Sequence, residues 1–354
     1  MVKRLVSIII NNYNYSQFIR QAIDSALSQN YPNTEVIVVD DGSTDNSPEI
    51  INSYGTQIIP ILKNNGGQAS AFNVGFQASK GEIIIFLDAD DYLFPKTAQE
   101  VVAIWKPGLA IVQYRLELVD TVGKFLDIYP CSEIQLDSGN VLPILLSKGS
   151  YSGLVTSGNA FSREALTKIL PMPEMNFRIC ADGYITTLIP FYGQILSIEQ
   201  PLGGYRKHTI NAWSLSGRNK IQAEQCWKSI KHDFLKFEIL AQKANEFGYA
   251  VTNSVDSRNY FHLRCRIASL RLDPRNHPVP YDSRLGLAWK GCWATWKYSG
   301  YSSWKRKLIL SFWFLWVAFM PQGLAEPVIN WLLMQQSRPK NVDKIVKKIR
   351  WLFG

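Results

Sequence analysis

The residues best equipped for chemistry are Asp88, Asp90 and Asp91, in the run Ile83-Ile84-Ile85-Phe86-Leu87-Asp88-Ala89-Asp90-Asp91. Carboxylates this close repel one another and lose hydration when a chain folds around them. A divalent cation, which takes oxygen ligands, removes that conflict. The plain alternative is a solvated acidic loop. Two more polar clusters stand nearby, Asn11 to Tyr15 and Asp40-Asp41-Gly42-Ser43-Thr44-Asp45. Later in the chain come Asp182, in Ile179-Cys180-Ala181-Asp182, and Arg206 with His208, in Gly204-Tyr205-Arg206-Lys207-His208.

Each early cluster follows a short apolar run, and those runs are what must position it. Leu5 to Ile10, Glu35 to Val39, Ile58 to Leu62 and Ile83 to Leu87 read as strands; Pro60 puts the third near an edge. Between them, Phe18, Ile19, Ala22, Ile23, Ala26 and Leu27 make one helical stripe that Ser16 is placed to cap, and Ala69, Phe72 and Phe76 make another. The order β-α-β-α-β-α-β with short links predicts a doubly wound, mostly parallel sheet. Right-handed crossovers then bring the strand ends, and all three clusters, to one crevice. Neither a GxGxxG nor a GxxxxGK[ST] run is present, so a bound phosphate needs a cation rather than a glycine cradle.

Composition narrows the class. The 46% hydrophobic share is that of a globular chain. Five scattered cysteines without a CxxC pair fit a reducing compartment, and four histidines without an HxxxH spacing argue against a zinc site. Met1-Val2-Lys3-Arg4 leads straight into a strand, so no signal peptide is expected. The net charge of +9 is uneven: residues 1–215 hold 15 Lys and Arg against 20 Asp and Glu, and residues 216–354 hold 23 against 9. Nine of the 11 tryptophans also lie in the second part. The expected division is one domain over 1–215, then a basic helical extension over 216–354.

Five segments, in this order, carry a resemblance: Ser7 to Asn14, Ser28-Gln29-Asn30-Tyr31-Pro32, Val38 to Asp45, Asn73-Val74-Gly75, and Phe86 to Asp91. Together they resemble the family 2 inverting glycosyltransferases with the GT-A fold. The resemblance implies a catalytic domain over 1–215, with a nucleotide-binding half (1–100) and an acceptor half (101–215), in which Asn11, Tyr13 and Asp40, with Asp41 beside them, hold the nucleotide. Tyr13 stacks on the base or is only a rim aromatic. Asp41 binds ligand or serves as a turn residue bonding the amides of Ser43 or Thr44. Gln68 falls near the diphosphate, and Asn73 braces the acidic loop or merely packs. Asp88-Ala89-Asp90 matches the DxD motif, with Asp88 on ribose and Asp90 on Mn²⁺ or Mg²⁺.

Relatives carry an acidic pair where this chain has Ala181-Asp182, so the general-base role passes to Asp182 alone; a helix N-cap is the alternative. Arg206 and His208 match a Tyr-Arg-x-His motif that reaches the diphosphate, against a structural role for the histidine. The implied function is metal-dependent, inverting transfer of a sugar from a nucleotide donor, UDP foremost, to a glycan or lipid-linked hydroxyl. The rivals are a nucleotidyltransferase and a non-catalytic sugar-nucleotide-binding relative.

In the acceptor half, residues 109–120 read as one strand with 125–129 paired to it through a turn, and 137–147 as helix. In the extension, 219–247 and 253–272 read as helices. The uncharged run Leu308 to Met320 is too short to span a bilayer, and Pro321 and Pro327 break its continuation through Leu324 to Met334. Residues 340–353 read as a basic amphipathic helix. Such a tail lies on an anionic membrane, spans it, or packs as a soluble cap; the expected location is cytoplasmic, at the inner face of the membrane. Nucleic acid is not an expected partner, because the basic residues interleave with apolar runs.

Overall fold

The computed structural model describes residues 4–132, 134–208, 223–250, 255–301 and 303–333. In chain order these form β1 (Val6–Asn12), α1 (Ile19–Leu27), β2 (Thr34–Asp40), α2 (Ser47–Asn52), β3 (Ile59–Leu62), α3 (Gln68–Ala78), β4 (Ile83–Asp88), β5 (Tyr92–Leu93), α4 (Thr97–Ile104), β6 (Leu109–Tyr114), β7 (Leu116–Val119) and β8 (Phe125–Tyr129). Next come α5 (Leu142–Lys148), β9 (Asn159–Ser162), α6 (Arg163–Thr167), α7 (Ala181–Leu188), β10 (Gln194–Ile198) and β11 (Gly203–Arg206). The remainder is helical: α8 (Ala223–Glu246), α9 (Val255–Arg258), α10 (Tyr260–Leu272), α11 (Arg284–Tyr298), α12 (Trp304–Phe319) and α13 (Gln322–Leu333). One compact unit comprises Met1–Leu142 with Ser152–Lys207; the other comprises Pro143–Tyr151 with His208–Gly354.

The first unit is built on a seven-stranded sheet of order β10-β6-β9-β4-β1-β2-β3. Strands β4, β1, β2 and β3 are parallel, and β9 runs antiparallel between β4 and β6. The apolar runs are buried on both faces, with Ile8, Ile9, Ile10 and Ile83 to Leu87 fully inaccessible; each such side chain contributes roughly 1.5–3 kcal/mol. Phe72 of α3 stacks on Phe86 with ring centroids 4.2 Å apart, fixing α3 over β4. Strand β3, with Pro60, is the edge strand, as its sequence predicts. Register matters most for the site: Asn11 of β1 lies beside Asp88 of β4, and Asn12 beside Asp40 of β2.

Several expectations are corrected. The strand read over 109–120 is two strands in different sheets: β6 belongs to the large sheet, and β7 to a four-stranded sheet of order β5-β11-β7-β8. The break is at Arg115, a buried guanidinium that bonds Glu199 and the carbonyls of Pro130, Cys131 and Ile134. The pairing of β7 with β8 is present, turning through Asp120, which accepts from the amides of Val122 and Lys124. Ser16 does not cap α1, which starts at Ile19 after Phe18; its amide donates to Asp45 instead. The helix read over 137–147 is only Leu142–Lys148, because Asp137 exchanges hydrogen bonds with Ser152 and Gly139 bridges to Ile195.

In the second unit, α10, α11, α12 and α13 share a core that includes Leu263, Ile267, Leu287, Phe314, Val317 and Ile329. Met320 is extended ahead of Pro321 and separates α12 from α13, whereas Pro327 is accommodated inside α13. Among the described residues no helix is long and apolar enough to cross a membrane. The amphipathic helix read at 340–353 lies outside the described residues.

Candidate active site

The β1–β4 register is made good by side chains. Asn11 Nδ2 donates to Asp88 Oδ1 at 2.9 Å, and Gln68 Nε2, at the start of α3, donates to the same oxygen at 3.1 Å. Thr156 also hydrogen-bonds Asp88. Despite these neutral donors, burial and the charge of Asp90 push the Asp88 carboxyl up to about 7, with the charge of Asp182 adding to the effect.

Asp91 is buried and holds the turn closed. Its two oxygens accept from Ser157 Oγ at 2.6 Å and from the Arg206 amide at 2.8 Å. Burial, then Asp90 and Asp88, raise its carboxyl well above the ordinary range. The Asp88 amide donates to Ser157 Oγ, so one hydroxyl ties both ends of the acidic turn. Asp90 is buried between these two and faces them electrostatically.

The second cluster divides its work. Asp40 accepts from Asn12 Nδ2 (2.7 Å), Ser43 Oγ (2.6 Å) and the Ser43 amide (3.0 Å). Asp41 turns the other way: it accepts from Lys63 Nζ and the amides of Gly66 and Gly67, at 2.6, 2.9 and 2.6 Å. The turn role expected of Asp41 at Ser43 thus belongs to Asp40, and the Thr44 amide bonds Asn14 Oδ1. Gly67 sits at φ +91°, and a Cβ there would fall 2.4 Å from Arg178 Cγ, so this loop closes directly on the segment that leads to α7. Tyr13 is 47% exposed at the rim.

Asp182 is not an N-cap. Cys180 occupies that position in a left-handed conformation (φ +60°), and Asp182 lies in the first turn of α7, where a carboxylate is favoured by the helix dipole. The Ala181 amide donates to Gln68 Oε1 at 3.0 Å. Gln68 therefore connects the support of Asp88 to the start of the helix carrying Asp182. Asp182 also acts on Tyr129, whose phenol is pushed up to about 12 by burial and then by that charge.

Arg206 differs from expectation. Its buried guanidinium bonds the carbonyls of Asp90 (2.9 Å) and Thr121 (2.8 Å) and the side chain of Gln21, and lies 4.8 Å above the Phe18 ring. It ties the acidic turn to α1 and to the turn between β7 and β8. Asn73 bonds the backbone of Met172, not the acidic loop. His208 is buried and falls in the second unit.

Sequence reasoning misses Lys63, gives Asn12 no role beyond membership of the Asn11–Tyr15 cluster, and takes Thr156 and Ser157 only as part of a segment resembling one that lines an acceptor site, without linking them to the acidic turn. Thr156 and Ser157 precede β9, so only the antiparallel insertion of that strand beside β4 brings them to Asp88 and Asp91. The signal available was their place in a short polar run before a strand.

Among the described residues, no group of three or more His, Cys, Asp or Glu side chains is arranged as a self-contained metal cage. The donor set still fits a hard cation that brings most of its ligands with it. Asp91 is committed to Ser157 and Arg206, and Asp88 accepts from neutral donors, so the carboxylates of this turn offer hard oxygen atoms without a cationic partner of their own among these bonds. Asn11 Oδ1 and Asn12 Oδ1 are buried without a hydrogen-bond partner among the described residues, which leaves acceptors for a ligand hydroxyl or amide.

A mixed α/β unit with this sheet and an acidic turn at the strand ends has the architecture of a sugar-nucleotide-dependent transferase. The family model described as glycosyl transferase family 2 matches residues 7–170. An uncharacterised glycosyltransferase of Nostoc is 37% identical over 211 residues, 58% of this chain and 66% of that protein. The Escherichia coli UDP-Glc:α-D-GlcNAc-diphosphoundecaprenol β-1,3-glucosyltransferase is 48% identical over 90 residues, 25% of this chain and 36% of that protein. The chain thus spans just under two thirds of the first relative and about a third of the second. Staphylococcus aureus TarS 1–349, solved with UDP-GlcNAc, has a TM-score of 0.51 at 17% identity, over 95% of this chain and 93% of that one. Residues 7–170 thus carry a glycosyl transferase family 2 domain, and the chain has a GT-A fold with a helical C-terminal region.

Proposed function

We propose that the protein transfers a sugar, with inversion, from a nucleoside-diphosphate donor to a hydroxyl of a glycan or lipid-linked acceptor. The observation that carries this reading is the bridge made by Gln68, which donates to Asp88 at 3.1 Å and accepts from the Ala181 amide, next to Asp182, at 3.0 Å. A base and a donor site must adjoin for a single displacement.

Asp182 takes the proton of the attacking hydroxyl. Asp88 and the vacant acceptor Asn11 Oδ1 orient the ribose. Tyr13 stacks on the base at the rim, over loops that Asp40 and Asp41 hold in place. Asp90 is the protein ligand of Mn²⁺ or Mg²⁺. Such a cation, when bound, neutralises the departing diphosphate. UDP is the first donor to test, because the Escherichia coli relative is named for a UDP-sugar and TarS was solved with one. That relative's undecaprenyl-linked acceptor likewise motivates a lipid-linked hydroxyl here. The five free thiols fit a cytoplasmic location.

The test is a panel of UDP-, GDP- and dTDP-sugars with and without Mn²⁺, on the parent and on Asp182→Asn. Transfer by the variant is expected to fall by about 10³-fold, with UDP binding changed less than about threefold. A large loss of UDP binding would overturn the base assignment, and cation-independent turnover would overturn the role of Asp90.

A further inference from the structure

We infer that the face formed by α11 and α12 docks on an anionic lipid bilayer. On α11, Trp289, Trp293 and Trp296 follow one another at i, i+4 and i+7, and all are exposed, Trp289 by 76%. On α12, Leu308, Phe312 and Leu315 repeat that spacing, with Phe312 60% exposed. The opposite sides of the same helices, including Leu287, Ala288, Phe314 and Val317, already fill the core. The exposed rows are therefore a second apolar face rather than core left uncovered.

The two rows are fastened side by side. Trp296 Nε1 donates to Ser311 Oγ at 3.1 Å, and Lys307 Nζ donates to the Trp296 carbonyl at 3.2 Å. Gly291 lets the helices close up, since a Cβ there would lie 2.3 Å from the Phe314 ring. Phe312 is 5.5 Å from the Trp316 ring, and Trp316 bonds the carbonyl of exposed Leu324. The apolar surface is thus continuous from α11 across α12 to the start of α13. A patch of this extent on a soluble protein marks an interaction site.

Charge selects the occupant. Helices α11 and α12 carry Arg284, Lys290, Lys297, Lys305, Arg306 and Lys307 and no Asp or Glu. A second copy of the chain would set six cations against six others. An anionic bilayer supplies both apolar depth for the Trp and Phe rings and negative charge for their neighbours, at about 1 kcal/mol per basic residue. Tryptophan also has the amphipathic ring that settles at headgroup level. Among the described residues no helix is long and apolar enough to cross, and the docking inferred here is to the bilayer surface.

Flotation of the full chain tests this with vesicles of phosphatidylcholine alone and with about one third phosphatidylglycerol. The parent is expected to float with the anionic vesicles and about tenfold less with the neutral ones. A triple variant, Trp289→Ser, Trp293→Ser and Phe312→Ser, should lose about tenfold in partitioning, as should Lys290→Glu with Lys297→Glu. Melting curves matching the parent's show that the variants fold. The inference fails if the parent does not float, or if the folded triple variant floats as well as the parent. It fails equally if the parent sediments as a dimer that the triple variant dissociates, which would make a second copy the occupant. Flotation needs no sugar donor, so this result stands apart from the transferase assay.

Discussion

The molecule holds two sets of buried or half-buried carboxylates and treats them oppositely. In the helical unit each is matched by a cation. Asp233 lies 2.8 Å from Lys236 and 3.1 Å from His262. Asp256 and Asp282 flank the guanidinium of Arg266, and Asp282 also meets His277 at 3.0 Å. Burial alone would raise Asp233 and Asp282; their partners outweigh it and hold both below the usual carboxylate range. In the first unit the bonds to Asp88 and Asp91 come from neutral amides and hydroxyls, and both acids are raised. Acids that the fold neutralises are structural. Acids that it crowds together without neutralising leave a demand for positive charge, which a ligand can meet.

The comparison is broken most forcefully at Arg266, which is fully buried. Arg266→Ala leaves Asp256 and Asp282 facing each other without their shared guanidinium, and a buried pair broken on one side costs about 3–5 kcal/mol. The melting temperature should fall by roughly 10 °C. A loss of only a degree or two would mean that the helical acids are as tolerant of missing charge as the catalytic ones.

The next test uses pH. A carboxyl raised from its unfolded value near ~4 to about 7, as Asp88 is, holds a proton in the folded state that the unfolded chain has released. Stability of the chelator-treated protein therefore falls as pH rises from about 5 to 8, by on the order of 2 kcal/mol. Mn²⁺ should abolish the slope, and Asp88→Asn should reduce it, leaving the part that the raised Asp91 contributes. The helical acids have the reverse sign: Asp233 and Asp282 contribute stability above the unfolded carboxylate value, and it is lost as pH falls through their lowered folded values. Thermal melts against pH, with EDTA and with Mn²⁺, separate the two sets. A flat chelated profile between about pH 5 and 8 would contradict the account of the acidic turn.

The legibility of the chain followed the same division. Strands β1 to β4 and the carboxylates at their ends could be read because an apolar run ending in acid is a local pattern, and parallel topology does the rest. What could not be read depends on contacts between distant segments. Arg115 splits a strand because its partners lie at residues 130–134 and 199. Ser157 reaches Asp91 only because β9 inserts antiparallel. Arg206 carries the motif of a ligand-binding residue, yet its acceptors are carbonyls of the acidic turn and of the β7–β8 turn. A motif fixes which residue is present, and the fold decides which way it faces.

Gln68 offers the finest test, because it joins the acidic turn to the proposed base. Its amide nitrogen donates to Asp88, its amide oxygen accepts from Ala181, and its backbone nitrogen bonds the Arg178 carbonyl at 2.8 Å. Gln68→Ala removes both side-chain bonds, yet Asp88 keeps Asn11 and Thr156. Donor binding should change by less than about threefold, while kcat falls about tenfold, since the start of α7 loses the bond that sets Asp182. Gln68→Glu should not restore it, because a second carboxylate replaces the donor at Asp88 with repulsion. If Gln68 instead contacts the diphosphate, as its place in the sequence implies, KM for the donor will rise at least as much as kcat falls. The ratio of those two changes decides whether the residue binds the donor or ties the two halves of the site together.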